Sequence, residues 1–298
     1  MGETFLVPYA NTPLTDDVRT VVADTWGIDA FVGGERLFGG EESAAFKIAD
    51  HVIRIGPTWR TTAELEWCHQ IASAAAREVP EAIAPLATAS GATVVRVRAH
   101  PVSVWPHVEG RWVDDDDDRQ WEQAADLLAR LHRALAKLDT SPRPDGAGTM
   151  TSRQVPGVDT ELQSWLEHFD AAHQACPIHG DFYAGNLLAR DGDIVGLLDW
   201  DEALLTPQTR ELAWAAWEFG DGLWADDLTG VTDFITAYRE AAGPAEPPDG
   251  PGLRNLVRHR LLGEMLYIDE QAARAELTDD DIAYRQRQEE VCLQLRLS

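Results

Sequence analysis

Residues 177–200 read PIHGDFYAGNLLARDGDIVGLLDW and set Asp181, Asn186 and Asp199 in a fixed order around two apolar runs. Asp181 falls in a loop that holds Gly180 and Gly185, and Asn186 follows five residues on, just ahead of Leu187 and Leu188. After the turn signal Asp191-Gly192, the run Ile194, Val195, Gly196, Leu197, Leu198 predicts a buried strand that delivers Asp199 at its C-terminal end. This makes a short hairpin whose ends carry two carboxylates and one amide into the same small volume.

Transfer of a phosphoryl group to a hydroxyl needs such a trio. One carboxylate accepts or orients the acceptor's proton, and an amide oxygen with a second carboxylate holds a divalent ion on the nucleotide phosphates. Hard oxygen ligands suit magnesium. Alone, any one of these residues is more often a helix cap, an Asx turn or a surface carboxylate. The competing reading takes His179 and Asp181 as a His-x-Asp metal pair of a hydrolase, which would need further histidines as ligands. The other histidines are scattered without metal-ligand spacing.

The wording His179-Gly180-Asp181, then Asn186, then Leu198-Asp199-Trp200, resembles the aminoglycoside phosphotransferase family of small-molecule kinases, which includes homoserine, choline-type and other metabolite kinases. The resemblance implies an α+β, two-lobed protein-kinase-like fold. An N-terminal lobe over residues 1–105 would hold an antiparallel sheet plus one principal helix. A larger, mainly helical catalytic lobe would span 106–298, with the hinge at 105–110. The resemblance also implies ATP and Mg2+ as cofactors, Asp181 as catalytic base, and Asn186 and Asp199 as magnesium ligands. The γ-phosphoryl group would pass to a hydroxyl of a small molecule.

An N-terminal lobe must supply phosphate contacts and a cation. Residues 36–48 read as strand, glycine turn, strand, and Ala49-Asp50-His51 turns into a third strand at 52–55. Gly39 and Gly40 would let backbone pass close to phosphates, although a tight hairpin explains two glycines equally well. The family's loop resembles Gly-Gly-x-x-Asn, and Ser43 stands here in the asparagine position. Arg54 takes the third-strand place where protein kinases carry lysine, and its fork can hold phosphate bidentately. Lys47 is the alternative cation, one strand earlier.

The helix after Pro57 offers Glu64 and Glu66 as partners for that cation. At about 100° per residue, Glu64 shares a stripe with Cys68, Ile71 and Ala72 while Glu66 points away. A glutamate on an apolar face needs a paired cation, so Glu64 is expected to pair with Arg54 and Glu66 to be solvated. Two more strands follow, at 93–98 and 102–105. The resemblance makes the next segment the hinge, with Trp105, His107 and Val108 lining the adenine pocket.

Downstream, Ala124, Ala125, Leu128, Leu131, His132 and Leu135 recur at helical spacing and predict a buried helix over 121–138. His132 reads as a satisfied structural histidine. The aspartate run Asp114 to Asp118 ahead of it favours a helix N-terminus. Trp200, Trp214, Trp217 and Trp224 read as core or as substrate-facing walls. Residues 243–252 read as a loop, and a last helix is expected to begin at Thr278 with Asp281 completing a capping box.

The chain is strongly acidic, with 25 basic against 51 acidic residues and a formal charge of −26. That disfavours nucleic acid and anionic membrane as partners and favours a cationic acceptor. Asp201, Glu202, Glu218, Asp221, Asp226, Asp227, Glu264 and Asp269 could line an acidic pocket, as an aminoglycoside-type substrate or an amino alcohol would want; solubility or salt adaptation explains the same charge. At 298 residues and 44% hydrophobic content the chain can bury a sizeable core. It shows no apolar run of membrane-spanning length and no signal-peptide pattern. Cys68, Cys176 and Cys292 read as reduced thiols, so a cytoplasmic location is expected. A pseudokinase that binds nucleotide without chemistry is the alternative of a different class.

Overall fold

Apolar residues recurring every second position build the first layer of the computed structural model, which describes residues 11–37, 42–144, 158–225, 227–272 and 277–297. After helix α1 (Asp16–Trp26) come β1 (Glu35–Leu37), β2 (Ala44–Ile48), β3 (His51–Ile55), helix α2 (Thr62–Ala75), β4 (Val95–Val97) and β5 (His100–Pro106). The strands form one antiparallel sheet in the order β1-β2-β3-β5-β4. Ala44, Phe46, Ile48, Ile53, Ile55, Val102 and Val104 turn to one side of it and pack on Val18 and Val22 of α1. The sequence reading assigned nothing to 16–26.

Register fixes Arg54 opposite Ala45 on one neighbour and Ser103 on the other. Helix α2 starts at a capping box in which Thr61 Oγ1 accepts from Glu64 N and Glu64 Oε2 accepts from Thr61 N. Its Cys68, Ile71, Ala72 and Ala75 enter a second, larger core.

That core is enclosed by β6 (Arg111–Trp112), α3 (Asp118–Leu135), α4 (Thr160–Ala172), β7 (Ala175–Ile178), β8 (Leu187–Arg190), β9 (Asp193–Leu197), β10 (Leu204–Pro207), α5 (Gln208–Phe219), α6 (Thr229–Glu240), α7 (Gly250–Ala272) and α8 (Asp279–Leu297). The expected hairpin is β8–β9, flanked by β6, while β7 pairs with β10. Its turn uses Asp191 and Gly192 at φ +55° and +84°, the left-handed pair that matches strand twist.

The aspartate run acts as anticipated at the start of α3, where Asp117 accepts from Arg119 N and Gln120 N. At α8, Thr278 Oγ1 accepts from Asp281 N and Asp281 Oδ2 from Thr278 N, so the expected capping box forms. The loop expected over 243–252 is shorter. Asp249 Oδ1 accepts from Gly252 N at 2.7 Å, and Pro251 lies in the first turn of α7, where a missing N–H costs nothing.

An antiparallel sheet with one principal helix behind it, followed by a mainly helical remainder, is the α+β fold read from the sequence. Among the described residues no helix is long and apolar enough to cross a membrane. The cysteines are free thiols, two of them buried.

Candidate active site

The loop between β7 and β8 carries Asp181, and a buried glutamate of α5 holds the loop. Glu211 accepts from Gly180 N at 2.5 Å, from His179 N at 3.3 Å and from His132 Nε2 at 2.9 Å. His132 is fixed in turn by Tyr238 Oη at 2.8 Å, so it is structural, as expected. Burial pushes the Glu211 carboxyl up, but the His132 bond and the neighbouring imidazoles bring it below the usual range. Gly180 is obligatory here: its φ is +88°, and a β-carbon would lie 2.1 Å from the Glu202 carbonyl oxygen.

His179 is no metal ligand. Its Nε2 donates to Leu198 O at 2.8 Å, which leaves Nδ1 as acceptor for Asp181 N. With both ring nitrogens engaged, the hydrolase reading fails.

Asp181 is held on both carboxylate oxygens. Oδ1 accepts from Arg260 Nη2 and Oδ2 from Asn186 Nδ2, each at 2.8 Å. Burial in the cleft lifts its carboxyl to about 7 despite Arg260, with Glu264, Glu202 and Asp199 adding to the rise. A carboxylate retains a second lone pair on each oxygen, so Asp181 can still accept a proton. Because Asn186 spends its Nδ2 on Asp181, its Oδ1 is left for a cation. Asp199, at the end of β9 with φ +56°, spends one oxygen on Arg54 and keeps the other.

Arg54 lies at the site, but its expected partner does not. Arg54 Nη2 donates to Asp199 Oδ1 at 3.1 Å and to Asp201 Oδ2 at 3.0 Å. Glu64 is fully buried, as its helical phase required, yet its cations are Arg60 at 2.9 Å and Arg143 at 2.5 Å. The expected Glu64–Arg54 pair is therefore not formed: Arg60, just ahead of α2, and Arg143, from the segment after α3, occupy Glu64, and their hydrogen bonds and charges hold its carboxyl low against burial. Nor is Glu66 solvated, since its carboxylate accepts from Thr93 N, Thr93 Oγ1 and Val94 N. Among the described residues Lys47 reaches only Glu109, at 4.0 Å. Gly39 and Gly40 lie outside the described residues.

Two cavities meet at these residues. One, of about 260 Å³, is walled by Val52, Ile83 and Leu188 together with Trp105, His107 and Val108 of the anticipated hinge. The His107 amide is spent on Asp50 O. The other, of about 240 Å³, holds Asp181, Glu202, Glu218 and Glu264 beside Trp214 and Tyr183. Ser43, Arg54, Asn186 and Asp199 border both. Among the described residues, the carboxylates of Glu42, Asp181, Asp199, Asp201, Glu202, Glu218 and Glu264 stand around the second cavity against Arg54, Arg60 and Arg260. Asp221, Asp227 and Asp269 are not part of it, and Asp226 lies outside the described residues. Burial and the nearby Glu264 raise the Glu218 carboxyl to about 8. Trp200 and Trp217 belong to the core and Trp224 is exposed, so among the four only Trp214 faces this cavity.

Arg60 and Arg260 escaped the sequence reading. Arg260 lies one helical turn from Leu256 and from Glu264 on α7, and both Leu256 and Arg260 are buried. The phase argument that marked Glu64 would have marked it as well.

A model of the phosphotransferase enzyme family, APH, matches residues 38–254. The chain belongs to that family, as its sequence resemblance implied. It is similar to Stress response kinase A of Salmonella typhi, 28% identical over 193 residues that cover 58% of this chain and 57% of the relative. It thus spans little more than half the length of the curated relatives it matches. Among solved structures, the microcompartment-associated aminopropanol kinase superposes with a TM-score of 0.68 at 13% identity, covering 93% of this chain and 95% of that one. Amicoumacin kinase hAmiN, in complex with AMP-PNP, Ca2+ and Ami, gives 0.65 at 16% identity and 88% of each chain. These likenesses establish the kinase-like fold.

Proposed function

We propose that the chain is an ATP-dependent kinase that moves the γ-phosphoryl group to a hydroxyl of a small cationic molecule. The observation that carries this reading is the junction of an apolar cavity and an acidic one at Arg54, Asn186 and Asp199, with Asp181 on the acidic side. Adenine would occupy the apolar cavity against Trp105, His107 and Val108, where residues 105–110 serve as hinge between lobes 1–105 and 106–298. Arg54 would meet the phosphates, with Ser43 beside them.

Asn186 Oδ1 and the second oxygen of Asp199 are hard donors that fit Mg2+; bound there, the ion would neutralise phosphate charge. Asp181, with its carboxyl near 7, is poised to take the acceptor's hydroxyl proton at neutral pH. Arg260 fixes its orientation and keeps the carboxylate aimed into the acidic cavity. Transfer itself then rests on positioning and charge stabilisation.

Cationic acceptors follow from the excess of carboxylates, seven against three arginines among the described residues that line the cavity. Among the described residues the Glu218 side chain has no hydrogen bond or ion pair, and burial and Glu264 raise its carboxyl to about 8, so an ammonium group placed beside it would draw it into the charged form. Amino alcohols and aminoglycoside-type antibiotics both meet this description, and the likeness in fold to an aminopropanol kinase agrees with the former. A cytoplasmic enzyme would find ATP and Mg2+ at hand.

The test is Mg2+-dependent ADP release against a panel of amino alcohols, aminoglycosides, neutral sugars and acidic sugars. Amine-bearing acceptors are expected to stimulate release, and Glu218→Gln to raise their KM about tenfold, the loss of one partly desolvated ion pair. Stimulation confined to neutral or acidic sugars would refute the cationic reading.

A further inference from the structure

We infer that Asp201, not the glutamate of helix α2, is the positioning residue of the phosphate-directed Arg54; the inference rests on the nucleotide reading above. In the usual kinase arrangement a helix glutamate holds the third-strand cation in line. Here Glu64 cannot do so. Its Oε1 is taken by Arg60 and Arg143, and its Oε2 faces the amide of Thr61.

The task passes to the loop that follows β9. Asp201 Oδ2 accepts from Arg54 Nη2 at 3.0 Å, with the aspartate side chain only 13% exposed and that of Arg54 18% exposed. Asp199 Oδ1 accepts from the same nitrogen at 3.1 Å. One nitrogen thus carries both carboxylates, while Nε and Nη1 have no hydrogen bond among the described residues. The guanidinium is further held over the Trp105 ring, 5.7 Å from its centroid. Trp105 is itself fixed by Nε1 donating to Ser103 Oγ at 2.8 Å, and Ser103 is the residue opposite Arg54 in the sheet.

Arg54 is therefore anchored through Nη2, with its Nη1 and Nε N–H groups unspent beside the nucleotide cavity. Each can donate a charge-assisted hydrogen bond to a phosphate oxygen. Asp199 also stands as a metal ligand, so it must share its carboxylate when the ion is bound. Asp201 is the partner left to Arg54 throughout. The backbone of Asp201 is held separately: its carbonyl accepts from Arg143 Nη2 at 2.9 Å and Arg60 Nη1 at 3.4 Å. A side-chain change from carboxylate to amide therefore leaves the loop's main-chain bonds in place.

The test uses the full chain in EDTA, where no metal contributes, and compares the Kd of ADP with that of adenosine by calorimetry. The ratio of the two reports the phosphate contacts alone. Asp201→Asn is expected to lower the ADP preference about tenfold with adenosine affinity unchanged, and Asp201→Glu to restore most of it. Glu64→Gln is expected to keep the wild-type ratio. Thermal melts establish that each variant is folded. A wild-type ratio in Asp201→Asn, or a fall of equal depth in Glu64→Gln, overturns the assignment. A loss seen only with Mg2+ present would make Asp201 a metal ligand instead and overturns it too. Failure of the wild type to prefer ADP at all would overturn the nucleotide reading itself, and the assignment with it.

Discussion

Replacing Glu211 by alanine removes the acceptor of three buried donors at once: the amides of His179 and Gly180 and the imidazole of His132. The side chain of Glu211 is 2% exposed, so water cannot take its place. Each unsatisfied buried donor costs roughly 1–3 kcal/mol, and the 3.3 Å bond to His179 belongs at the low end. The variant should therefore lose about 3–6 kcal/mol, a large share of the stability of an ordinary domain. Glu211→Gln keeps one oxygen acceptor and lets His132 change tautomer, so its loss should be roughly 1–2 kcal/mol. The same amides set the backbone ahead of Asp181, and a displacement of an ångström can cost about 100-fold in rate. Urea denaturation and steady-state turnover are the assays. Turnover should fall by one to two decades even in Glu211→Gln, with KM for ATP little changed. A Glu211→Ala variant within about 1 kcal/mol of wild type would refute the reasoning, because the three donors would then have found other partners.

Gly180→Ala should be among the most damaging small substitutions. A β-carbon at φ +88° meets the Glu202 carbonyl at 2.1 Å, and backbone strain with the forced shift of that loop should cost about 3 kcal/mol or more. Wild-type stability and turnover in this variant would contradict the geometry. His69 sets a pH dependence: burial holds its imidazole at about 3, far below the ordinary 6.5, so the unfolded chain takes the proton first as pH falls. Its contribution to stability is full above about pH 6.5 and is lost toward pH 3, amounting to about 2 kcal/mol at pH 5. Urea titrations at pH 7 and pH 5 should show that drop in the wild type and a smaller one in His69→Gln; equal drops would exclude His69 as its source.

What could be read from the sequence was what local signals encode. The β8–β9 hairpin was legible because two apolar runs and an Asp-Gly turn lie within a dozen residues, and the caps of α3 and α8 because acid and hydroxyl stand next to the helices they start. Burial of Glu64 was legible from helical phase alone. Its partner was not, since phase gives a face but does not say which of several arginines reaches it. The pairing of Arg54 with Asp201 joins residues 147 positions apart, and no local pattern carries it. Helix α1 was missed because only Val18 and Val22 are buried, too few to make a periodic stripe. Arg260 was missed for a different reason: its apolar neighbours were visible, but the role of a buried arginine is defined only by Asp181 across the cleft.

The most direct test of a phosphoryl-transfer site built on Asp181 is Mg2+-dependent ADP release from ATP in the presence of an amine-bearing acceptor, compared between the wild type and Asp181→Ala. Acceptor-stimulated release in the wild type, reduced at least about 100-fold in the variant while ADP still binds, is the expected result. Near wild-type turnover by Asp181→Ala would contradict the account at its centre.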